Sequence, residues 1–249
     1  MVRKYPNADL KILYGKAAGK CAMPKCRIDI VLEQKQDEKR KQIGKIAHIV
    51  AHSTNGPRAD DSYPKEKLDA YDNWVLLCPT CHDTVDALDS KYSVSDLLNI
   101  KSKHEEWVTL RLDESMSEVS FAELEVASKA IASGKHFTSS DFSLISPEEK
   151  IEKNNLSGSS KVLIVTGLSR SSEVREYLYK QTQIDDEFVY RLKGGFIEKY
   201  NELSKSILGD SLFMAMLDFA QAGQTEFKHQ AASLAILCHL FELCDIFEK

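Results

Sequence analysis

Two short cysteine pairs constrain this chain more than any other feature. Cys21 and Cys26 stand in CAMPKC, and Cys78 and Cys81 in CPTC. Between and around them run GKIAHIVAHSTNGPRAD (44–60) and DNWVLLCPTCHDTVD (72–86). A Cys-x-x-Cys turn supplies two thiolates from one bend, and structural zinc takes four Cys or His ligands in a tetrahedron. Cys21, Cys26, Cys78 and Cys81 are therefore expected to hold a structural Zn²⁺ and to clamp the segments that carry them.

Composition sets the frame. The chain has 249 residues, 43% hydrophobic and 29% charged, which suits two modest domains and a globular fold. No run of 18 apolar residues occurs, so no membrane span is expected. The opening MVRKYPNADLK lacks an apolar signal region. The expected compartment is the cytoplasm, where thiols stay reduced and cysteines serve as metal ligands or buried thiols. The net charge of −5 is uneven: 19 Lys+Arg against 16 Asp+Glu through Leu112, then 14 against 22. The cysteine-bearing part is the mildly basic one, in keeping with phosphate contact.

Residues 1–112 read as one unit. Lys35–Lys45 is a polar loop, Ile46–Val50 a strand, and Ser53–Pro57 a turn. Thr80 is placed to cap a helix carrying His82 and Asp86. A second helix is expected from Ser95 to Leu112, with His104 and Trp107 on its packed face. Residues 113–160 read as a helical connector: a polar boundary at 113–120, a helix over 121–132, a helix start at Ser146-Pro147-Glu148-Glu149, and a flexible NNLSGSSK at 154–161. Residues 161–249 read as a helical interaction domain. Val162–Val165 fits either a strand or a helical turn. Gly194-Gly195 is expected to weaken or kink a helix over 185–206. Phe227–Phe247 is apolar nearly all round, so it either builds a core or meets another chain. Cys238 and Cys244 are expected to pack as small hydrophobes. His136, His229 and His239 have no ligand-type partners at useful spacing.

The histidine-rich segments carry the chemistry. Hydrolysis of a phosphodiester needs a base for water and a cation for the charge that builds on phosphate. His82 and Asp86 are spaced i, i+4, so a helix sets both on one face. They can hold one divalent ion while His48 approaches from the strand. His52 follows His48 by four, on the same side of an extended segment. The Asn73 amide is placed to brace the loop that carries the base. Arg58 and the lysines of 35–45 are candidate phosphate contacts.

At AHIVAHS…GPR…N…LLCPTCH…D the chain resembles HNH endonucleases with a ββα-metal core, particularly those of bacterial anti-phage systems. The resemblance covers roughly residues 15–110. It implies an α+β fold: an N-terminal ββα-metal domain with a zinc knuckle, followed by a mainly α-helical C-terminal domain. It implies His48 as general base, His82 and Asp86 as ligands of a catalytic Mg²⁺ or similar ion, and Asn73 as an orienting residue. Many family members carry an acidic ligand just before the base. Here that position is Ala47, and His52 is the candidate replacement. The swap, with His52 as base and His48 as ligand, stays open.

The segments SPEEKIEKN, FVYRLKGGFIEKYNEL, GDSLFMAML and LCHLFELCDIFEK, within residues 140–249, are similar to C-terminal domains of effectors in three-component ABC-ATPase (Lamassu-like) defence systems. That similarity implies an SMC-like ATPase and a middle component as partners, and homo-oligomers through the C-terminal domain. The expected function is metal-dependent cleavage of double-stranded DNA by a defence effector. The alternatives are a restriction-type or cyclic-nucleotide-activated HNH nuclease, and a non-catalytic zinc-stabilised DNA-binding or adaptor protein.

Overall fold

The computed structural model describes residues 3–32, 41–132, 146–243 and 246–247. The chain divides into two compact units, Met1–Val108 and Thr109–Lys249. Lys35–Arg40, His136 and Cys244, which figure in the expectations above, lie outside the described residues. Among the described residues the architecture is α+β, mostly helical, with two small sheets in the first unit.

In the first unit, α1 (Asn7–Ala17) ends on Ala18 in the left-handed conformation, φ 49°. A tight turn then carries Cys21 and Cys26. The Ala22 N–H bonds Leu76 O at 2.9 Å, which ties this turn to the later strand. β1 (Val31–Leu32) and β2 (Lys41–Gln42) form one antiparallel pair. β3 (Lys45–His48) and β4 (Trp74–Leu77) form the other, with His48 opposite Trp74. Lys41, Gln42 and Lys45, read above as part of a loop, thus lie in strands.

All four residues of β4 are buried, because α1 and α2 (Pro79–Ala87) both pack on the β3–β4 region. The core gathers Leu13, Ile30, Ile49, Trp74, Leu76, Leu77, Val85 and Leu97 around Cys21 and Cys78. Helix α2 starts two residues earlier than expected. Its cap is Cys78, whose Sγ accepts from Cys81 N, with Pro79 at the first position; Thr80 lies inside the helix. The order β3, β4, α2 sets two strands and a helix in succession around the histidines.

Helix α3 (Val94–Met116) outruns the expected end at Leu112. His104 is buried, stacks on Trp107 and sits 3.2 Å from Ala17 O, so it packs the core as expected. Leu98 and Leu110 fall off the buried face.

The second unit is helical: α4 (Phe121–Lys129), α5 (Pro147–Lys153), α6 (Gly158–Leu168), α7 (Ser171–Thr182), α8 (Phe188–Leu203), α9 (Gly209–Gln221) and α10 (Phe227–Glu242). Capping sets its boundaries: Ser120 and Glu123 form a capping box on α4, and Ser146 caps α5. The segment 154–161 is a tight turn through Asn155 into α6, and Val162–Val165 lies within that helix.

Helix α10 packs against α4, α6, α7 and α9, so its apolar surface builds the core of this unit. Cys238 is fully buried against Gly167, where an added Cβ would come within 2.6 Å of its Sγ. Helix α8 runs unbroken through Gly194-Gly195. Gly195 lies against Ile131, where a Cβ would approach to 2.9 Å, so close packing explains this glycine.

Candidate functional site

The two cysteine pairs converge. The Sγ atoms of Cys21, Cys26, Cys78 and Cys81 all lie within 4.8 Å of one another. Cys26 and Cys78 Sγ are 3.8 Å apart. A regular tetrahedron of Zn–S bonds near 2.3 Å has edges of about 3.8 Å, so the donors fit a metal such as zinc. All four are free of disulfides. Burial pushes the Cys21 thiol up to about 11 and also raises Cys81. For Cys78 burial is outweighed by the Cys81 N–H and the neighbouring thiols, which hold it below the ordinary thiol value. Without a cation the four thiolates resist forming together; a bound metal would supply the compensating charge.

A second constellation opens beside β3 and α2. His48, His52, Arg58, His82 and Asp86 line one small pocket of about 70 Å³ with Arg3, Ile46, Ala51, Ser53, Gly56 and Pro57. His82 Nδ1 lies 3.6 Å from Asp86 Oδ2 and 3.3 Å from Asp83 Oδ1. A pair of donors on one helical turn suits a divalent ion that retains several waters, as Mg²⁺ does. Among the described residues, the cysteines form the only group of three or more potential ligands this close together.

Asn73 is 1% exposed and acts as a buried brace. Its Oδ1 accepts from Val50 N at 2.8 Å, and its Nδ2 donates to Val50 O and Leu68 O, each at 3.0 Å. One amide thus fixes both ends of the loop that follows His48. Arg58 turns inward, in place of the phosphate contact expected for it. Its side chain is 4% exposed and donates to Ile49 O, Val85 O, His48 O and the Asp86 carboxylate.

Two residues at the site escaped the sequence reading. Asp69 reaches both histidines: Oδ1 lies 3.1 Å from His48 Nε2, and Oδ2 lies 3.4 Å from His52 Nε2. The Lys4 N–H donates to Oδ2 at 2.6 Å. Burial alone would raise the Asp69 carboxyl, but these bonds hold it below the ordinary range. Arg3 stands at the pocket and is exposed. Burial lowers the His48 pKa below its ordinary value, the Asp69 bond opposes that shift, and the Arg3 charge adds to it. Burial and the Arg3 charge thus favour the neutral ring, the form able to accept a proton. A spacing argument could not single out Asp69 from Asp60, Asp61, Glu66 and Asp72 around it.

No protein-family model matches this chain, and no curated protein matches it.

Proposed function

We propose that the chain is a metal-dependent HNH endonuclease acting on double-stranded DNA, built on a zinc-clamped ββα scaffold. The observation that carries this reading is the pocket shared by His48, His52, His82 and Asp86, next to a four-cysteine cluster. His48 accepts the proton of a water as the water oxygen attacks phosphorus. The P–O bond to the leaving oxygen breaks. His82 and Asp86, with His52 alongside, would hold a Mg²⁺-like ion, which when bound supplies charge stabilisation to phosphate and leaving oxygen. Asn73 braces the loop that follows His48, and Arg58 ties that loop to α2. Arg3 offers an exposed cation to a phosphate at the pocket.

On the resemblance of residues 140–249, the helical unit would attach the nuclease to an SMC-like ATPase and a middle component of a defence system. The burial of α10 within its own unit directs the search for such a contact, and for self-association, to other surfaces of that unit. A non-catalytic zinc module is the competing reading, and it draws on Ala47 and on the fact that, among the described residues, His82 and Asp86 belong to no group of three mutually close ligand atoms. A plasmid-nicking assay with Mg²⁺ or Mn²⁺ separates the two. Metal-dependent cleavage is the expected result; no cleavage with any metal, alone or with the partner complex, favours the binding module.

A further inference from the structure

We infer that Asp69 is the positioning residue that sets the ring tautomer of His48, leaving Nδ1 of that ring with a free lone pair. A carboxylate only accepts hydrogen bonds, and an indole N–H only donates. Both crowd one nitrogen. Asp69 Oδ1 is 3.1 Å from His48 Nε2, and Trp74 Nε1 is 3.2 Å from the same atom. A single ring nitrogen cannot donate to the first while accepting from the second.

If Nε2 carries the proton it donates to Asp69, and Nδ1 is a base. If Nε2 accepts from Trp74, the proton moves to Nδ1 and the ring has no second lone pair. The charged acceptor decides the contest, because a hydrogen bond to an ionised group is roughly twice as strong as a neutral one. The other arrangement would set the carboxylate against a lone pair. Asp69 is itself anchored by the Lys4 N–H, and its second oxygen faces His52 Nε2 at 3.4 Å. One carboxylate, 21 residues beyond the first histidine, thus faces both rings.

The inference rests on the nuclease reading only for what Nδ1 acts upon. In that reading Nδ1 takes the water proton, while Asp69 never meets the substrate and keeps its charge throughout.

The test is long-range ¹⁵N–¹H correlation on the full chain, zinc-loaded and labelled with ¹⁵N-histidine. It is run at about pH 8, above the ordinary histidine pKa of about 6.5. The wild type should show His48 with its proton on Nε2. Asp69→Ala should move that proton to Nδ1, with Nε2 accepting from Trp74. Trp74→Phe, which removes the competing N–H, should keep it on Nε2. In the cleavage assay Asp69→Ala should lower kcat by about 10²-fold or more with KM little changed. An Nδ1 proton in the wild type, or an unmoved Nε2 proton in Asp69→Ala, overturns the inference. A proton that shifts as stated in a protein that cleaves no DNA supports Asp69 as positioner and overturns the nuclease reading instead.

Discussion

The guanidinium of Arg58 meets the Asp86 carboxylate at 2.7 Å while its remaining donors reach the carbonyls of His48, Ile49 and Val85. One buried cation therefore locks the end of β3 to the last turn of α2, and it holds the carboxylate that would carry the catalytic ion. Arg58→Ala leaves those acceptors unpaired, and a loss of about 3 kcal/mol in stability is expected. Arg3, exposed at the same pocket, should behave oppositely. Arg3→Ala should leave the melting temperature unchanged and reduce the slope of log K for DNA against log[salt] by about 1. Melting curves and salt titrations check the pair. A stable Arg58→Ala, or an unchanged slope in Arg3→Ala, would reverse the assignment.

Asn73 offers a second stability test. Its amide pairs with three backbone groups in a site that is 1% exposed. Asn73→Ala should cost about 3 kcal/mol, since each orphaned buried group costs about 1–3 kcal/mol. Asn73→Asp should be no better, because it sets an acceptor-only carboxylate against the Val50 and Leu68 carbonyls. Denaturant unfolding of both variants reads this directly. An aspartate variant as stable as the wild type would contradict the brace.

Metal removal should act on the first unit. Elemental analysis is expected to find one zinc per chain, lost in Cys78→Ser and Cys81→Ser. Chelation should melt the β3–β4–α2 region, because thiolate binding free energy is folding free energy in such sites. The α10-centred unit has its own core and should keep its helical signal. Retention of the near-ultraviolet signal of the first unit after full chelation would argue against a structural role for the cluster.

Lys101 gives a pH signature. Its Nζ is buried, donates to Tyr71 O and to Trp74 O at 3.0 Å, and lies 3.4 Å from the Tyr71 ring centroid. Burial lowers its pKa to about 8. The unfolded chain, with lysine near 10.4, then binds more protons than the fold between about pH 8 and 10.4. This lysine's contribution is complete above that window and is lost as pH falls through it to about 8. Relative to Lys101→Met, the wild type should gain stability as pH rises from about 8 to about 10. A flat difference over that range would place the ammonium in contact with water.

The cysteine cluster was legible because metal spacing is a local signal. Cys78 and Cys81 are fixed by one bend, and Cys21 with Cys26 by another. A strand through His48 was also legible, although it runs over Lys45–His48 and leaves out the Ile49 and Val50 of the expected Ile46–Val50, and so was the helix carrying His82 and Asp86. Asp69 was not. It reaches His48 through the loop between β3 and β4, whose path is set by the Asn73 amide and by backbone turns that no periodicity encodes. Arg58 misled for the same reason: an arginine in a Gly-Pro-Arg turn looks solvated until the tertiary fold presents it with carbonyls. In the second unit, Ser-Gly-Ser-Ser at 157–160 looked flexible because its residues favour turns. The Asp210 carboxylate accepts from Ser157 N at 2.9 Å and from the Ser160 hydroxyl, which anchors the helix start that composition hid.

The most direct test of the whole account is metal-dependent nicking of supercoiled plasmid by zinc-loaded wild type and by His48→Ala, prepared in parallel and matched for zinc content and melting temperature. The account predicts nicking by the wild type with Mg²⁺ or Mn²⁺, and a rate at least about 10²-fold lower for the variant. Cleavage by His48→Ala at the wild-type rate would contradict it.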